Sequence, residues 1–249
     1  MRMYGLIGYP LSHSFSQKYL TEKFRKENIS DVQYKLFPLE EISDLSRLLL
    51  SNTDLYGLNV TIPYKEAVIP FLDELDETAK GVGAVNTIKI IHNKQGRSLT
   101  GYNTDIYGFR QSIKPFLEAS HERALILGTG GASKAVAHVL SEIGVNCLFV
   151  SRNPKNENEI AYHDINEHVI KSHLLIVNTS PVGMYPDIDA FPPIPYQFLT
   201  KKHFLYDLVY NPEETGFLKS GRIQGVQGIN GLSMLQLQAE KAWEIWNER

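Results

Sequence analysis

Apolar residues in this chain gather into short runs, and between the runs they recur at helical spacing. Residues 3–8, 32–38 and 55–60 each read as a buried strand, the first broken by Gly8-Tyr9-Pro10. The stretch through Arg25 carries Tyr19, Leu20 and Phe24 on one helical face, and 40–50 predicts a second helix. Strand alternating with helix predicts an α/β layer with parallel pairs. Beyond it the pattern predicts helices over 66–72 and 77–82 and a strand over 83–90. A turn at 93–96 folds 98–102 back as a hairpin, and a long helix is predicted from Ile106 to about Ala119.

The second half repeats the alternation with a stronger signal. Strands are predicted over 124–127, 145–150, 173–177, 204–209 and 224–226, with helices over 134–143 and 215–221. This is the pattern of a parallel, doubly wound sheet. The chain then closes with an amphipathic helix over 232–246, with Leu235, Ala239, Ala242 and Trp246 on a common face. No strand follows that helix, so it is expected to return to the first domain. The domain division expected from this layout is 1–103 plus 231–249, and 104–230.

Between the strand at 124–127 and its helix lies Gly128-Thr129-Gly130-Gly131-Ala132-Ser133. Strand, glycine turn and helix N-terminus in that order suit a dinucleotide pyrophosphate. Gly128 allows the tight turn, Gly130 lets backbone N–H groups approach, and the helix dipole presents its positive end. The position of the usual third glycine holds Ser133, so the match is a variant. Without a ligand, the same sequence would simply turn a strand into a helix. Cofactor choice is read at the end of the next strand, Ser151-Arg152-Asn153-Pro154-Lys155. An acid there would hold a ribose 2′-hydroxyl; none is present. Arg152 could stack on adenine or fork onto a 2′-phosphate, and Lys155 adds charge, so NADP is favoured over NAD.

Other polar clusters sit where the first domain's strands end. Ser12, Ser14 and Ser16 follow the first strand at a helix start, an arrangement that favours a carboxylate or phosphate, although one serine there would serve as a cap. The third strand runs into Asn59-Val60-Thr61-Ile62-Pro63-Tyr64-Lys65, and strand carboxyl ends are where open α/β sheets bind ligands. In Asn103-Thr104-Asp105, Asn103 or Thr104 would cap the following helix and Asp105 would suit its dipole.

Composition narrows the class of protein. The chain has 249 residues, 43% hydrophobic and 21% charged, with a net charge of −3, so no basic field recommends nucleic acid or an anionic membrane. The single cysteine, Cys147, cannot form an internal disulfide or a thiolate cluster. No apolar span of membrane length and no signal-like leader is seen, and a cytoplasmic enzyme without a metal is expected.

Taken together, the motifs resemble the shikimate dehydrogenase family. They run in order through HSFS (13–16), NVTIPYK (59–65), GAVNT (83–87), GYNTD (101–105), GTGGAS (128–133), SRN (151–153), NTSPVGM (178–184), DLVYNP (207–212) and NGLSMLQLQA (230–239). The resemblance implies an N-terminal α/β substrate domain and a doubly wound Rossmann-type NADP-binding domain, with a cleft between them. It implies reversible NADPH-dependent reduction of 3-dehydroshikimate to shikimate, in aromatic amino-acid biosynthesis. Lys65 and Asp105 would be the catalytic pair. Ser14 and Ser16, assisted by Tyr210, would hold the substrate carboxylate, and Asn59, Thr61, Asn86, Asp105 and Gln238 the ring hydroxyls. Gly128, Gly130, Gly131, Ala132, Ser151, Arg152, Asn153, Lys155, Thr179, Val209, Gly231 and Met234 would line the cofactor. The expected partner is a small-molecule substrate, and the expected state a monomer or homodimer. Two motifs depart from the family pattern: Gln17 stands where proline is usual, and Ser151-Arg152-Asn153 replaces Asn-Arg-Thr. The alternative is a quinate/shikimate dehydrogenase with broader substrate and NAD use. A non-catalytic dinucleotide sensor would have lost Lys65 or Asp105, and a methylene-tetrahydrofolate-type dehydrogenase gives no reason for the paired serines.

Overall fold

The computed structural model describes residues 1–11, 14–94 and 96–248, and divides into two units, Met1–Tyr107 with Gln236–Arg249, and Gly108–Leu235. The first unit contains β1 (Arg2–Gly8), α1 (Phe15–Lys26), β2 (Val32–Pro38), α2 (Leu45–Ser51), β3 (Leu55–Val60), β4 (Glu74–Leu75), α3 (Glu77–Val82), β5 (Thr87–Asn93), β6 (Gly96–Tyr102) and the first turn of α4 (Thr104–Ile113). Its sheet has the order β2-β1-β3-β5-β6-β4. The β1–β2 and β1–β3 pairs are parallel, whereas β5 runs antiparallel to both β3 and β6. The parallel alternation read from the sequence therefore holds for the first three strands, and the hairpin makes the sheet mixed.

The second unit contains β7 (Arg123–Leu127), α5 (Gly131–Glu142), β8 (Asn146–Ser151), β9 (Glu159–Ala161), α6 (Glu167–Ser172), β10 (Leu175–Asn178), β11 (Phe204–Asp207), α7 (Gly216–Ile223), β12 (Gln227–Ile229) and the start of α8 (Leu232–Asn247). All its strand pairs are parallel, in the order β12-β11-β10-β7-β8-β9. This is the doubly wound arrangement, with its switch point between β7 and β10. Leu125, Leu127, Val150, Ile176, Leu205 and Phe217 fill its core.

The division between units falls inside α4 and α8, a few residues beyond the expected boundaries. The first turn of α4 is tied to the first unit: Asn86 Oδ1 accepts the Thr104 N–H at 2.7 Å, and the Asn103 amide donates to the Ala84 carbonyl at 2.9 Å. The C-terminal part of α8 packs on the first sheet as the apolar face predicted. Ala242 and Trp246 join Tyr4, Leu20, Phe24 and Tyr34 in one buried cluster. The Trp246 indole donates to the Ile88 carbonyl at 2.9 Å, and any side chain at Gly57 would overlap the indole.

Several expected elements differ, each for a local reason. The helix expected over 66–72 is a series of turns ending in a 3₁₀ turn, Ile69–Phe71, because Pro70 has no N–H to continue it. Pro115 acts likewise: α4 stops at Ile113 and gives way to a 3₁₀ turn, Lys114–Phe116, instead of continuing to 119. The helix expected over 40–50 begins only at Leu45, after a 3₁₀ turn at Ile42–Asp44. The strand expected from residue 83 starts at Thr87, since Gly83, at φ +67°, ends α3 in a left-handed cap. The last strand is Gln227–Ile229, because α7 runs on to Ile223 and turns back at Gly225 (φ +76°). The sequence pattern did not reveal β4, β9 or α6, which are short. Cys147 lies in β8 as expected, half-buried, with burial pushing its thiol up to about 11.

Candidate functional site

Lys65 and Asp105, forty positions apart in sequence, meet in the first unit. Lys65 Nζ lies 2.6 Å from Asp105 Oδ2. Each arrives by a separate device. The loop after β3 is pinned by Tyr64, whose N–H donates to the Thr61 carbonyl at 2.9 Å and whose buried hydroxyl donates to the Leu39 carbonyl at 2.6 Å. Lys65 then fixes its own backbone by accepting the Val85 N–H at 2.7 Å. Asp105 occupies the first turn of α4, where Asn103 Oδ1 accepts the Ile106 N–H at 3.4 Å. Capping thus falls to Asn103, and the Asp105 carboxylate is turned toward Lys65 instead.

Asn86 connects these pieces. Its amide nitrogen donates to Asp105 Oδ1 at 2.9 Å and to Thr104 Oγ1 at 3.0 Å, while its oxygen accepts the Thr104 N–H. Asp105 therefore has one oxygen held by a neutral donor and the other by an ammonium. Such charge-assisted contacts are the strong class of hydrogen bond. Gln238 on α8 reaches the same cluster, its oxygen 3.4 Å from Thr104 Oγ1. Asn59 lies beneath it, 5% exposed, with its oxygen accepting the Tyr34 hydroxyl at 2.7 Å and its nitrogen directed at Thr87 Oγ1 and the Asn86 carbonyl. Thr61 follows β3 and is half-buried.

Ser14 and Ser16 stand at the start of α1. Ser14 is the N-cap, and its Oγ accepts the Gln17 N–H at 3.2 Å. Proline at position 17 would have no such hydrogen, so the departure from the family pattern gives this helix a cap. Ser12 and His13, the remaining parts of that motif, lie outside the described residues. Tyr210 belongs to the second unit, half-buried, with burial raising its hydroxyl.

The predicted cofactor residues gather at the carboxyl ends of the second unit's parallel strands. Gly128 leaves β7 at φ +118°, against Thr179, whose hydroxyl donates to the Leu127 carbonyl at 2.9 Å. Gly130 is the N-cap of α5, no side chain among the described residues caps that helix, and the space beside the Gly130 α-carbon is open among them. Gly131 and Ala132 in the first turn are half-exposed. A glycine cradle opening onto uncapped helical N–H groups fits a pyrophosphate. The variant third position is explained locally: Ser133 is fully buried, and its hydroxyl closes back on the Gly130 carbonyl at 2.6 Å.

Ser151, the last residue of β8, is half-buried, and after it Arg152, Asn153 and Lys155 are exposed. Ser151 Oγ accepts the Asn153 N–H at 3.2 Å, and Glu159 accepts the Lys155 N–H at 2.9 Å. Arg152 lies near enough to Tyr162 for its charge to oppose the burial that raises that phenol. Val209, Gly231 and Met234 form a further group. The Val209 carbonyl accepts the Gly231 N–H at 3.2 Å, Met234 is buried, and a side chain at Gly231 would overlap the Leu208 carbonyl.

One buried network was not foreseen as such. Asp207, fully buried at the end of β11, accepts from Asn178 Nδ2 at 2.9 Å, the Val209 N–H at 3.0 Å and Thr215 Oγ1 at 2.6 Å. Burial pushes its carboxyl up to about 6, with those three donors opposing the rise. Asn178 and Asp207 are register partners on adjacent strands, and the signal in sequence is a polar residue ending each buried run. Among the described residues no group of three or more His, Cys, Asp and Glu could hold a metal ion, and no helix is long and apolar enough to cross a membrane.

Comparison with known proteins gives concordant results. Residues 6–88 match the family model described as shikimate dehydrogenase substrate binding domain. A shikimate dehydrogenase (NADP(+)) of Carboxydothermus hydrogenoformans is 39% identical over 98% of this chain and 91% of its own length. The crystal structure of shikimate dehydrogenase 1 from Peptoclostridium difficile superposes with a TM-score of 0.84 at 36% identity, covering 99% of this chain and 91% of that one. The Thermus thermophilus shikimate 5-dehydrogenase, solved in complex with NADP(H) and shikimate, gives a TM-score of 0.85 at 29% identity, covering 99% and 94%.

Proposed function

Because this chain belongs to the shikimate dehydrogenase family, we propose that its Lys65–Asp105 pair supplies the proton in the NADPH-dependent reduction of 3-dehydroshikimate to shikimate. The observation that carries this reading is the 2.6 Å contact between the Lys65 ammonium and an Asp105 carboxylate already held by Asn86. NADPH, when bound, supplies the hydride.

What the protein contributes is placement and charge. As hydride arrives at the carbonyl carbon, negative charge grows on its oxygen, and an ammonium polarises that oxygen and gives it a proton. Asp105 is the ammonium's counter-charge before the transfer and aims it during the transfer. In the reverse direction the neutral amine accepts the hydroxyl proton. Ser14 and Ser16 hold the substrate carboxylate with hydroxyl donors, aided by Tyr210. Thr61, Asn86, Asp105 and Gln238 take the ring hydroxyls; Asn59, expected among them, is 5% exposed with both ends of its amide engaged and supports them from below. In the second unit the Gly128–Ala132 turn holds the pyrophosphate, Arg152 with Ser151, Asn153 and Lys155 receives the adenosine 2′-phosphate, and Thr179, Val209, Gly231 and Met234 border the nicotinamide. The reading also carries a cytoplasmic location, supported by a single, half-buried cysteine, and action as a monomer or homodimer on soluble small molecules.

The test is an absorbance assay at the nicotinamide band, with shikimate and quinate each paired with NADP and NAD. The expected outcome is highest kcat/KM for shikimate with NADP. Comparable turnover of quinate with NAD would replace this reading by the broader quinate/shikimate one.

A further inference from the structure

A chain of buried hydrogen bonds runs from β2 to the Lys65–Asp105 pair, and its donors and acceptors can be ordered without ambiguity at most links. Tyr34 is buried against Tyr4 and Trp246, the Trp246 ring centroid 6.4 Å away. Its hydroxyl is 2.7 Å from Asn59 Oδ1. An amide oxygen only accepts, so the phenol donates, and burial raises the phenol and keeps that proton in place. Asn59 is thereby oriented with its nitrogen toward Thr87 Oγ1 at 3.2 Å. An amide nitrogen only donates, so the Thr87 oxygen accepts, and the one Thr87 proton must go elsewhere. Its two acceptors are Asn86 Oδ1 at 3.2 Å and Thr104 Oγ1 at 3.3 Å, both in the cluster around Asp105. Asn86 then turns its nitrogen to Asp105 Oδ1, and Asp105 Oδ2 is left for Lys65.

Resting on the reading of Lys65 and Asp105 given above, we infer that Tyr34, acting through Asn59 and Thr87, is a positioning residue that orients Asn86 and so aims the Asp105 carboxylate at the Lys65 ammonium. None of the three needs to touch substrate. Asn59 is 5% exposed with both ends of its amide engaged, and Thr87 and Tyr34 are buried. Removing the Tyr34 hydroxyl leaves the Asn59 oxygen buried without that donor. The amide then keeps only its nitrogen contacts, to Thr87 Oγ1 and the Asn86 carbonyl, and any turn of its oxygen toward Thr87 draws the Thr87 proton away from Asn86. The Thr104 N–H still holds the Asn86 oxygen at 2.7 Å, so the constellation loosens without collapsing. A group that transfers a proton in the transition state is sensitive to such loosening, because its geometry sets the rate. The proposed cofactor residues lie in the second unit and are not part of this network.

The experiment compares Tyr34→Phe, Thr87→Val, Thr87→Ser and the Tyr34→Phe/Thr87→Val double variant in the full chain, with Lys65→Met run beside them. Tyr34→Phe should lower kcat about threefold to tenfold, the effect of one internal hydrogen bond, with KM for NADP, whose proposed residues lie in the other unit, within about twofold of the parent. Thr87→Val should do the same, and Thr87→Ser, which keeps the hydroxyl, should restore kcat to within about twofold. Because both residues act through Asn86, the double variant should be no more than about twofold slower than the slower single variant. The inference is overturned if Tyr34→Phe leaves kcat unchanged, if the two losses multiply, or if Thr87→Ser is as slow as Thr87→Val. Should Tyr34→Phe not fold, the Thr87 pair decides alone. Full activity in Lys65→Met would sink the reading of the site itself, whereas an inactive Lys65→Met beside an unaffected Tyr34→Phe would sink only the relay.

Discussion

Asp105 is held from two sides: Asn86 Nδ2 donates to its Oδ1 at 2.9 Å, and Lys65 Nζ lies 2.6 Å from its Oδ2. The carboxylate cannot turn toward one partner without leaving the other. Lys65→Met keeps the apolar stem and removes the ammonium. Turnover of shikimate should fall by roughly 10²–10⁴, the usual range for a lost general acid, while KM for NADP stays near the parental value. Initial rates at saturating NADP measure this, and unchanged turnover would remove Lys65 from the proton path.

Asp105→Asn tests the other partner. The amide is the same size, so packing survives, but one of its two ends must now present hydrogens to Asn86 or to Lys65. The ammonium also loses its counter-charge. Turnover should drop by about tenfold or more, with the melting temperature changed by only a few degrees. A variant as fast as the parent would mean that charge at 105 is irrelevant to the reaction.

Part of this site was legible in the sequence, because NVTIPYK sits at a strand end beside a proline. The NVTIPYK stretch could be placed at the carboxyl end of a buried run, which is where open sheets bind ligands, whereas Asp105 of GYNTD read as suiting the dipole of its helix and its pairing with Lys65 came only from the family resemblance. Period and turn chemistry did not reveal that Asn59 faces inward. A strand residue's side follows from register, and β3 places Asn59 opposite Thr87 of β5, on the face covered by α8. Tyr34 was invisible for a related reason: a tyrosine in an apolar strand reads as core until the structure shows what its hydroxyl meets. Helix ends misjudged from spacing alone were corrected by Pro70 and Pro115, whose missing donors outweigh any apolar periodicity.

Arg152 bears on cofactor choice. It stands exposed after β8, where an acid would select the ribose hydroxyl, and Lys155 is fixed nearby through Glu159. A guanidinium contact to phosphate belongs to the class worth about 1.5–3 kcal/mol, so Arg152→Ala should raise KM for NADP roughly tenfold to a hundredfold. KM for NAD, which has no 2′-phosphate, should move less than about threefold. Parallel titrations of both cofactors decide it, and equal weakening would contradict a phosphate contact.

Gly231 is required by backbone approach. A side chain there would overlap the Leu208 carbonyl, and the Gly231 N–H already donates to the Val209 carbonyl at 3.2 Å. Gly231→Ala must push α8's first turn away from the loop after β11. The cost should be about 1–3 kcal/mol of stability, as for other overpacked sites. KM for NADP should rise more than KM for shikimate. Thermal melts and the two KM values together measure this, and a variant with parental values would show that the loop yields freely.

The buried carboxyl of Asp207 gives a stability prediction with a definite sign. Its native value, about 6, lies above the ordinary 3.8, because full burial disfavours the charged form more than Asn178, Val209 and Thr215 stabilise it. Between those two values the native state binds more protons than the unfolded chain, so stability falls as pH rises. The contribution is complete below about pH 4 and lost once pH passes 6, and a shift of about two units sets its upper size near 3 kcal/mol. Asp207→Asn cannot ionise and keeps an oxygen for Asn178 and Val209. The difference in unfolding free energy, parent minus variant, should therefore decline from pH 4 to 6 and stay level from 6 to 8. Denaturant melts across that range give the curve. A flat difference between pH 4 and 6 would mean that Asp207 ionises in the native state as easily as in water, and that its three donors fully offset the cost of burying it.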